Sequence, residues 1–168
     1  IMLSSFASKA PYFERALSRA GIPVQNAGEA DFFGAVEVSI IISLLRIIDN
    51  RRQDIPLIAV LRSPLFAWSG DDLAYVRLCA PGQDFCTALE AAAQAGHQLS
   101  RDFLTRLDTF ADTARDMAVA PLLRYLYRET GAPGVFAALS DGQARLARLD
   151  SLCEAAQAFE SGGAKGLY

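Results

Sequence analysis

Between Gly34 and Ile48 the chain carries Val36, Val38, Ile40, Ile41, Ile42, Leu44, Leu45, Ile47 and Ile48, interrupted only by Glu37, Ser39, Ser43 and Arg46 among polar residues. Such β-branched density suits a strand as well as a helix. Length decides for a helix, because no turn signal breaks the run and strands of that length are uncommon. A helix that is apolar on nearly every side belongs at the centre of a fold, with the rest of the chain packed around it. A membrane span needs about 20 apolar residues, and this run is shorter and closed by Glu37 and Arg46. It therefore reads as a buried helix, and no membrane association is expected.

The flanking segments supply candidates for that packing. Ile1–Leu3 reads as a short strand. Ser8 starts a helix with Pro11 in its first turn and the stripe Tyr12, Phe13, Ala16, Leu17 and Ala20, which Gly21 ends. Ile22-Pro23-Val24 is extended, so the opening residues form a βα(β) unit. Asp54 is expected to cap a helix running to about Arg62, and Ser63-Pro64 breaks it because the residue before proline is pushed out of helical geometry. Beyond that break the pattern is helical throughout. Ser69 with Asp72 makes a capping box, Pro81-Gly82 separates two helices, and Ser100 starts a stripe of Phe103, Leu107, Phe110, Ala114 and Met117. Pro121 opens a helix that Thr130-Gly131 ends. A short piece from Gly134 to Leu139 precedes a last helix from Asp141 to Glu160, with Leu146, Leu149, Cys153, Ala156 and Phe159 on one face. The expected class is mainly α, with a division at residues 63/64.

Composition narrows the function. Sixteen basic against nineteen acidic residues in 168 leave a net charge of −3, which excludes a clamp that holds nucleic acid by bulk charge. Cys79, Cys86 and Cys153 have no CxxC spacing, so neither a disulfide scaffold nor structural zinc is expected, and a reducing cytoplasmic setting follows. His97 is the only histidine and reads as a solvated loop residue, so a Ser–His–Asp set has no support. Gly162-Gly163-Ala164-Lys165-Gly166 lacks the P-loop spacing. Asp49, Asp54, Asp71 and Asp72 suit capping better than a metal. No catalytic or metal-ligating residue is assigned.

Residues 32–64 carry more specific information. Phe32-Phe33, Glu37, the run from Ser43 to Asn50, Gln53-Asp54-Ile55-Pro56-Leu57 and Val60-Leu61-Arg62-Ser63-Pro64 resemble the UvrD/Rep-type superfamily 1 DNA helicases. Within that superfamily they most resemble the A subunit of Add-type helicase/nucleases (AddA). Upstream, Ile1–Val24 resembles the second RecA-like domain, 2A. Downstream, Thr130-Gly131, Arg145, Leu149, Leu152, Ala156 and Phe159 resemble the end of the inserted helical domain, 2B. The resemblance implies residues 1–63 as a partial RecA-like 2A segment and residues 64–168 as the helical 2B insertion. Together with the first residue Ile1 and the ending Leu167-Tyr168, it leads us to expect an excised piece of a larger DNA motor.

The same resemblance implies a parent that unwinds and degrades DNA in double-strand-break repair and recombination, uses ATP and Mg, and works with a B subunit. No cofactor is expected in this segment itself. It implies contacts to single-stranded and duplex DNA, weak for this chain alone, through Arg62 and Ser63 before Pro64 and through Ser5 at the end of the first strand. Ser4 stands where the family has Arg, and Leu65-Phe66-Ala67-Trp68 stands where many relatives have a glycine-rich turn. Arg62 is suited to phosphate as a charged, multi-donor ligand, and equally to a carboxylate such as Asp54. Trp68 either stacks on a base or seals the 2A–2B junction. Glu37 reads as a buried hydrogen-bonding residue that fixes the preceding loop. The alternative function is a helical module docking on a partner subunit. Because the remaining 2A strands are absent, the 34–48 helix is expected to leave an apolar patch exposed beside the strand pair.

Overall fold

The computed structural model describes residues 29–161 and, before them, Tyr12, Phe13, Ala16, Leu17 and Arg19–Gly21. The chain divides into two units, residues 1–35 and 36–168. In the first, Tyr12, Phe13, Ala16, Leu17 and Arg19 are helical, and Gly21 turns the chain with φ 72°. Tyr12 is strongly exposed. A helix that the sequence does not announce, α1 (Glu29–Gly34), follows. The strand at Ile1–Leu3, the extended Ile22–Val24 and the cap at Ser8 lie outside the described residues.

The second unit is all-helical as described: α2 (Val36–Asp49), α3 (Asp54–Arg62), α4 (Gly70–Cys79), α5 (Phe85–Gln94), α6 (Gln98–Arg115), α7 (Val119–Thr130), α8 (Ala132–Ala137) and α9 (Gly142–Ser161). No strand occurs among the described residues. The apolar run forms a helix, and its neighbours explain why it is apolar nearly all round. It packs against α3, α6 and α9 at once. Leu44, Ile47 and Ile48 join Leu57, Val60, Leu61, Trp68, Val76, Phe85, Leu89, Phe103, Leu107, Phe110, Leu122 and Leu126 in one core. Val38 and Ile41, in its first half, are fully buried too. The exposed apolar patch expected on this helix shrinks to Val36 among its described residues, because helices from residues 54–161 cover the rest.

The division expected at 63/64 falls inside this unit, since Leu61 before it and Trp68 after it share that core.

Several caps differ from expectation in an instructive way. Asp54 opens α3 but does not cap it. Its carboxylate accepts the backbone N–H of Phe85 at 2.8 Å, the first residue of α5, and meets Arg77 at 3.4 Å. An acid thus serves the positive end of a helix 31 residues away. Helix α6 begins before Ser100, at Gln98, with His97 in the capping position. Ser100 is fully buried and shares a 2.7 Å hydrogen bond with His97 Nδ1. The Ser69–Asp72 capping box is present as read, with Ser69 N–H to Asp72 at 2.8 Å and Asp72 N–H to Ser69 Oγ at 3.1 Å. Gly131 closes α7 in the left-handed region at φ 68°, where a side chain would be strained. Gly142 starts α9 so close to α8 that a Cβ would run into the Ala137 carbonyl oxygen. On α9, Leu149, Leu152 and Cys153 are buried, whereas Phe159 is exposed.

Candidate nucleic-acid interface

The turn that joins α3 to α4 is pinned by its own backbone. Ser63 N–H donates to the Val60 carbonyl, Ala67 N–H to the Ser63 carbonyl at 2.7 Å, and Trp68 N–H to the Leu61 carbonyl at 3.0 Å. Ala67 sits at φ 53°, a left-handed conformation that costs a non-glycine residue about 1 kcal/mol and persists only where its surroundings hold it. The Trp68 indole provides that hold. It is 4% exposed and packs edge-on against His97 and Phe103, with ring centres 5.7 and 6.1 Å away. His97 also lies 4.9 Å from the Tyr75 ring, so it is a half-buried aromatic spacer and not the solvated loop residue its sequence position suggested.

The residues singled out for DNA contact divide by exposure. Arg62, the last residue of α3, is exposed and, among the described residues, donates one side-chain hydrogen bond, from Nη1 to the Trp68 carbonyl at 2.6 Å. It does not pair with Asp54, whose carboxylate serves Phe85 and Arg77. A guanidinium has five N–H donors, so this bond orients Arg62 while leaving most of its donor capacity toward solvent. Ser63 is buried. Its hydroxyl donates to the Val60 carbonyl at 2.6 Å and accepts the Leu65 N–H at 3.3 Å, both inside the turn. Ser63 and Trp68 therefore shape the turn that carries Arg62. Ser5 lies outside the described residues.

A second polar feature joins the two ends of the module. Glu37, in the first turn of α2, is fully buried, as its setting on an apolar helix suggested. Among the described residues its side-chain partners are two arginines of α9, not the preceding loop it was expected to fix. Its two carboxylate oxygens accept hydrogen bonds from Arg145 at 2.5 Å and Arg148 at 2.7 Å, 108 and 111 residues later in the chain. Arg145 also donates through Nε to the Ser140 carbonyl at 2.8 Å, just ahead of α9. Burial alone would raise the Glu37 carboxyl. The hydrogen bonds from its own backbone N–H and Arg148, with the charges of Arg145 and Arg148, outweigh that and hold it below its ordinary value of 4.5. Arg145 belongs to the family pattern noted in the sequence; Arg148 was missed. The signal was available, since positions three apart share a helix face.

Among the described residues, no group of three or more His, Cys, Asp or Glu side chains could hold a metal ion, and no helix is long and apolar enough to cross a membrane. Asp72 is used in its capping box and Asp54 at the start of α5. Cys86 and Cys153 are buried free thiols, and burial pushes Cys86 up to about 11, which keeps it protonated near neutral pH.

What the residues from α2 to α9 make is an all-α module whose chemistry lies in arginines, some displayed and some clasped. Comparison with known proteins gives this class a particular likeness. The chain is 37% identical over 182 residues to the A subunit of the ATP-dependent helicase/nuclease of Heliobacterium modesticaldum, covering all of this chain and 13% of that protein. The same subunit of Pelotomaculum thermopropionicum is 39% identical over 172 residues, and that of Geobacillus thermodenitrificans 36% over 177, each covering all of this chain and 14% of the relative. No family model matches. The resemblance read from residues 32–64 thus holds along the whole chain: it is similar to one stretch of the ATP-dependent helicase/nuclease A subunit, and spans about 13–14% of these relatives' length.

Proposed function

We propose that this chain is a DNA-handling segment of an AddA-type helicase/nuclease that acts in double-strand-break repair and recombination. Its full-length similarity to one stretch of that protein carries the reading. In this reading residues 1–63 contribute to a RecA-like 2A domain with its βα elements, and residues 64–168 form the 2B helical insertion. The division follows topology, because the core itself runs through it. ATP and Mg act elsewhere in the parent, which works together with a B subunit.

Arg62 is the contact to strand phosphate, and Ser63 and Trp68 hold the turn that aims it. With a net charge of −3, binding by the chain alone is weak and owes its strength to a few phosphate contacts. Fluorescence anisotropy with a single-stranded oligonucleotide tests this across a salt series. Affinity falls as salt rises, and Arg62→Gln flattens the slope by about 0.7 for each phosphate it no longer neutralises. Binding that ignores both salt and Arg62 defeats the reading.

A second reading has one observation in its favour. On α4, Asp71, Tyr75 and Leu78 repeat at helical spacing on one exposed face, where an acidic residue beside two apolar ones suits a protein surface better than DNA. A docking role on a partner subunit would use that face and leave Arg62 dispensable.

A further inference from the structure

The clasp at Glu37 holds more positive charge than it neutralises. Two guanidiniums meet one carboxylate, leaving one surplus positive charge. The three side chains are not equally enclosed. Glu37 is fully buried, Arg145 is 20% exposed, and Arg148 is 40% exposed. Arg148 uses Nη1 for Glu37, and among the described residues its Nε and Nη2 make no hydrogen bond. A partly exposed guanidinium fixed at one corner by a buried acid, with its other donors uncommitted among the described residues, is pre-oriented for a second anion and loses little side-chain freedom on binding one.

Its place in the fold adds to this. The connection between α2 and α3 spans only residues 50–53, so α3 folds back along α2. Arg62 at the end of α3 and Glu37 in the first turn of α2 therefore lie toward the same end of that helical hairpin. A strand held at Arg62 has a second cation presented at that end.

We propose that Arg148, backed by Arg145 and anchored by Glu37, is a second phosphate-binding point for the backbone of a nucleic-acid strand. This rests on the DNA-handling reading above. It makes Arg148 a ligand-contacting residue, whereas a purely structural clasp would only hold α9 to α2.

The experiment exploits a difference in sign. Arg148→Gln and Glu37→Gln both break the same ion pair, so a structural role makes them act alike. A phosphate site makes them act oppositely, because one removes the surplus charge and the other enlarges it. Binding of a fluorescent oligothymidylate of about 20 nucleotides is followed across a salt series for the 168-residue chain and four variants: Arg62→Gln, Arg148→Gln, Arg148→Lys and Glu37→Gln. Thermal melts establish that each is folded at the assay temperature. Arg148→Gln is expected to weaken binding several-fold and lower the salt slope by about 0.7. Arg148→Lys, which keeps the charge but not the multi-donor fork, is expected to lose clearly less than Arg148→Gln, and Glu37→Gln tightens binding.

Equal losses in Arg148→Gln and Arg148→Lys would make the role structural and overturn the proposal, as would an unchanged Arg148→Gln. If Arg62→Gln weakens binding while Arg148→Gln does not, only this proposal falls. If the parent chain shows no salt-dependent binding, the DNA-handling reading falls with it. Inorganic pyrophosphate separates a strand from a free nucleotide phosphate as the source. Arg148-dependent binding of pyrophosphate without any oligonucleotide binding would overturn the assignment to a strand.

Discussion

At Trp68 and at Glu37 the chain solves one problem, joining distant helices, in opposite ways. Around Trp68 the closure is apolar and spread over many partners: the indole is enclosed by rings from α6 and its loop, and the adjoining turn satisfies its backbone internally. At Glu37 closure depends on three side chains and two short ion pairs. Apolar closure is tolerant of small changes, because many weak contacts share the load. Ionic closure is specific but brittle, because desolvating a charge is repaid only while its partners stay in place. The first joins neighbouring helices, α3 through α6; the second ties the beginning of α2 to the beginning of α9.

The largest effect is expected at the apolar junction. Trp68→Ala empties a site enclosed by Phe103 and His97 and releases the left-handed Ala67, so a loss of about 3–5 kcal/mol in urea unfolding is expected. A loss below about 1 kcal/mol would show that the turn is held by its backbone bonds alone.

Next comes Glu37→Ala, which strands two partly buried guanidiniums. About 3 kcal/mol is expected, toward the low end for breaking a buried pair because Arg148 reaches solvent. The acid limb sharpens the contrast. Because the folded Glu37 carboxyl sits below its ordinary value of 4.5, the stability it contributes is present above that pH and drains away as pH falls through the folded value. Glu37→Gln should therefore flatten the acid side of a stability-versus-pH curve, while Trp68→Ala lowers the whole curve without changing its acid slope. Parallel acid limbs in the parent chain and Glu37→Gln would refute the ionic half of the comparison.

The smallest effect concerns the start of α4. Ser69→Ala removes one side of the capping box and should cost about 1 kcal/mol, read as a small shift in the urea midpoint.

Local signals in the sequence carried well. The Ser69–Asp72 box and the helix end at Thr130-Gly131 rest on chemistry within a few residues and are found as read, while the helix expected to open at Pro121 starts two residues earlier, at Val119. Signals that needed a distant partner did not. Asp54 has the makings of a cap, but the helix it serves begins 31 residues later. His97 looked like a loop histidine because nothing nearby in the chain shows that Trp68 and Tyr75 will enclose it. The candidate site was legible in the same uneven way. Arg62 could be singled out from its motif, whereas only coordinates show that Ser63 and Trp68 turn inward and support it.

From the sequence alone came the helical class of the described residues, the central place of the 34–48 run, and the likeness to one stretch of the helicase/nuclease A subunit. Hydrophobic periodicity, capping chemistry and motif spacing are properties of short segments, and they survive folding. The covering of that run by α3, α6 and α9, the continuity of one core across residues 63/64, and the meeting of Glu37 with Arg145 and Arg148 were decided only in three dimensions. Burial and charge pairing depend on which surfaces the packing brings face to face, and no local pattern records a partner more than a hundred residues away.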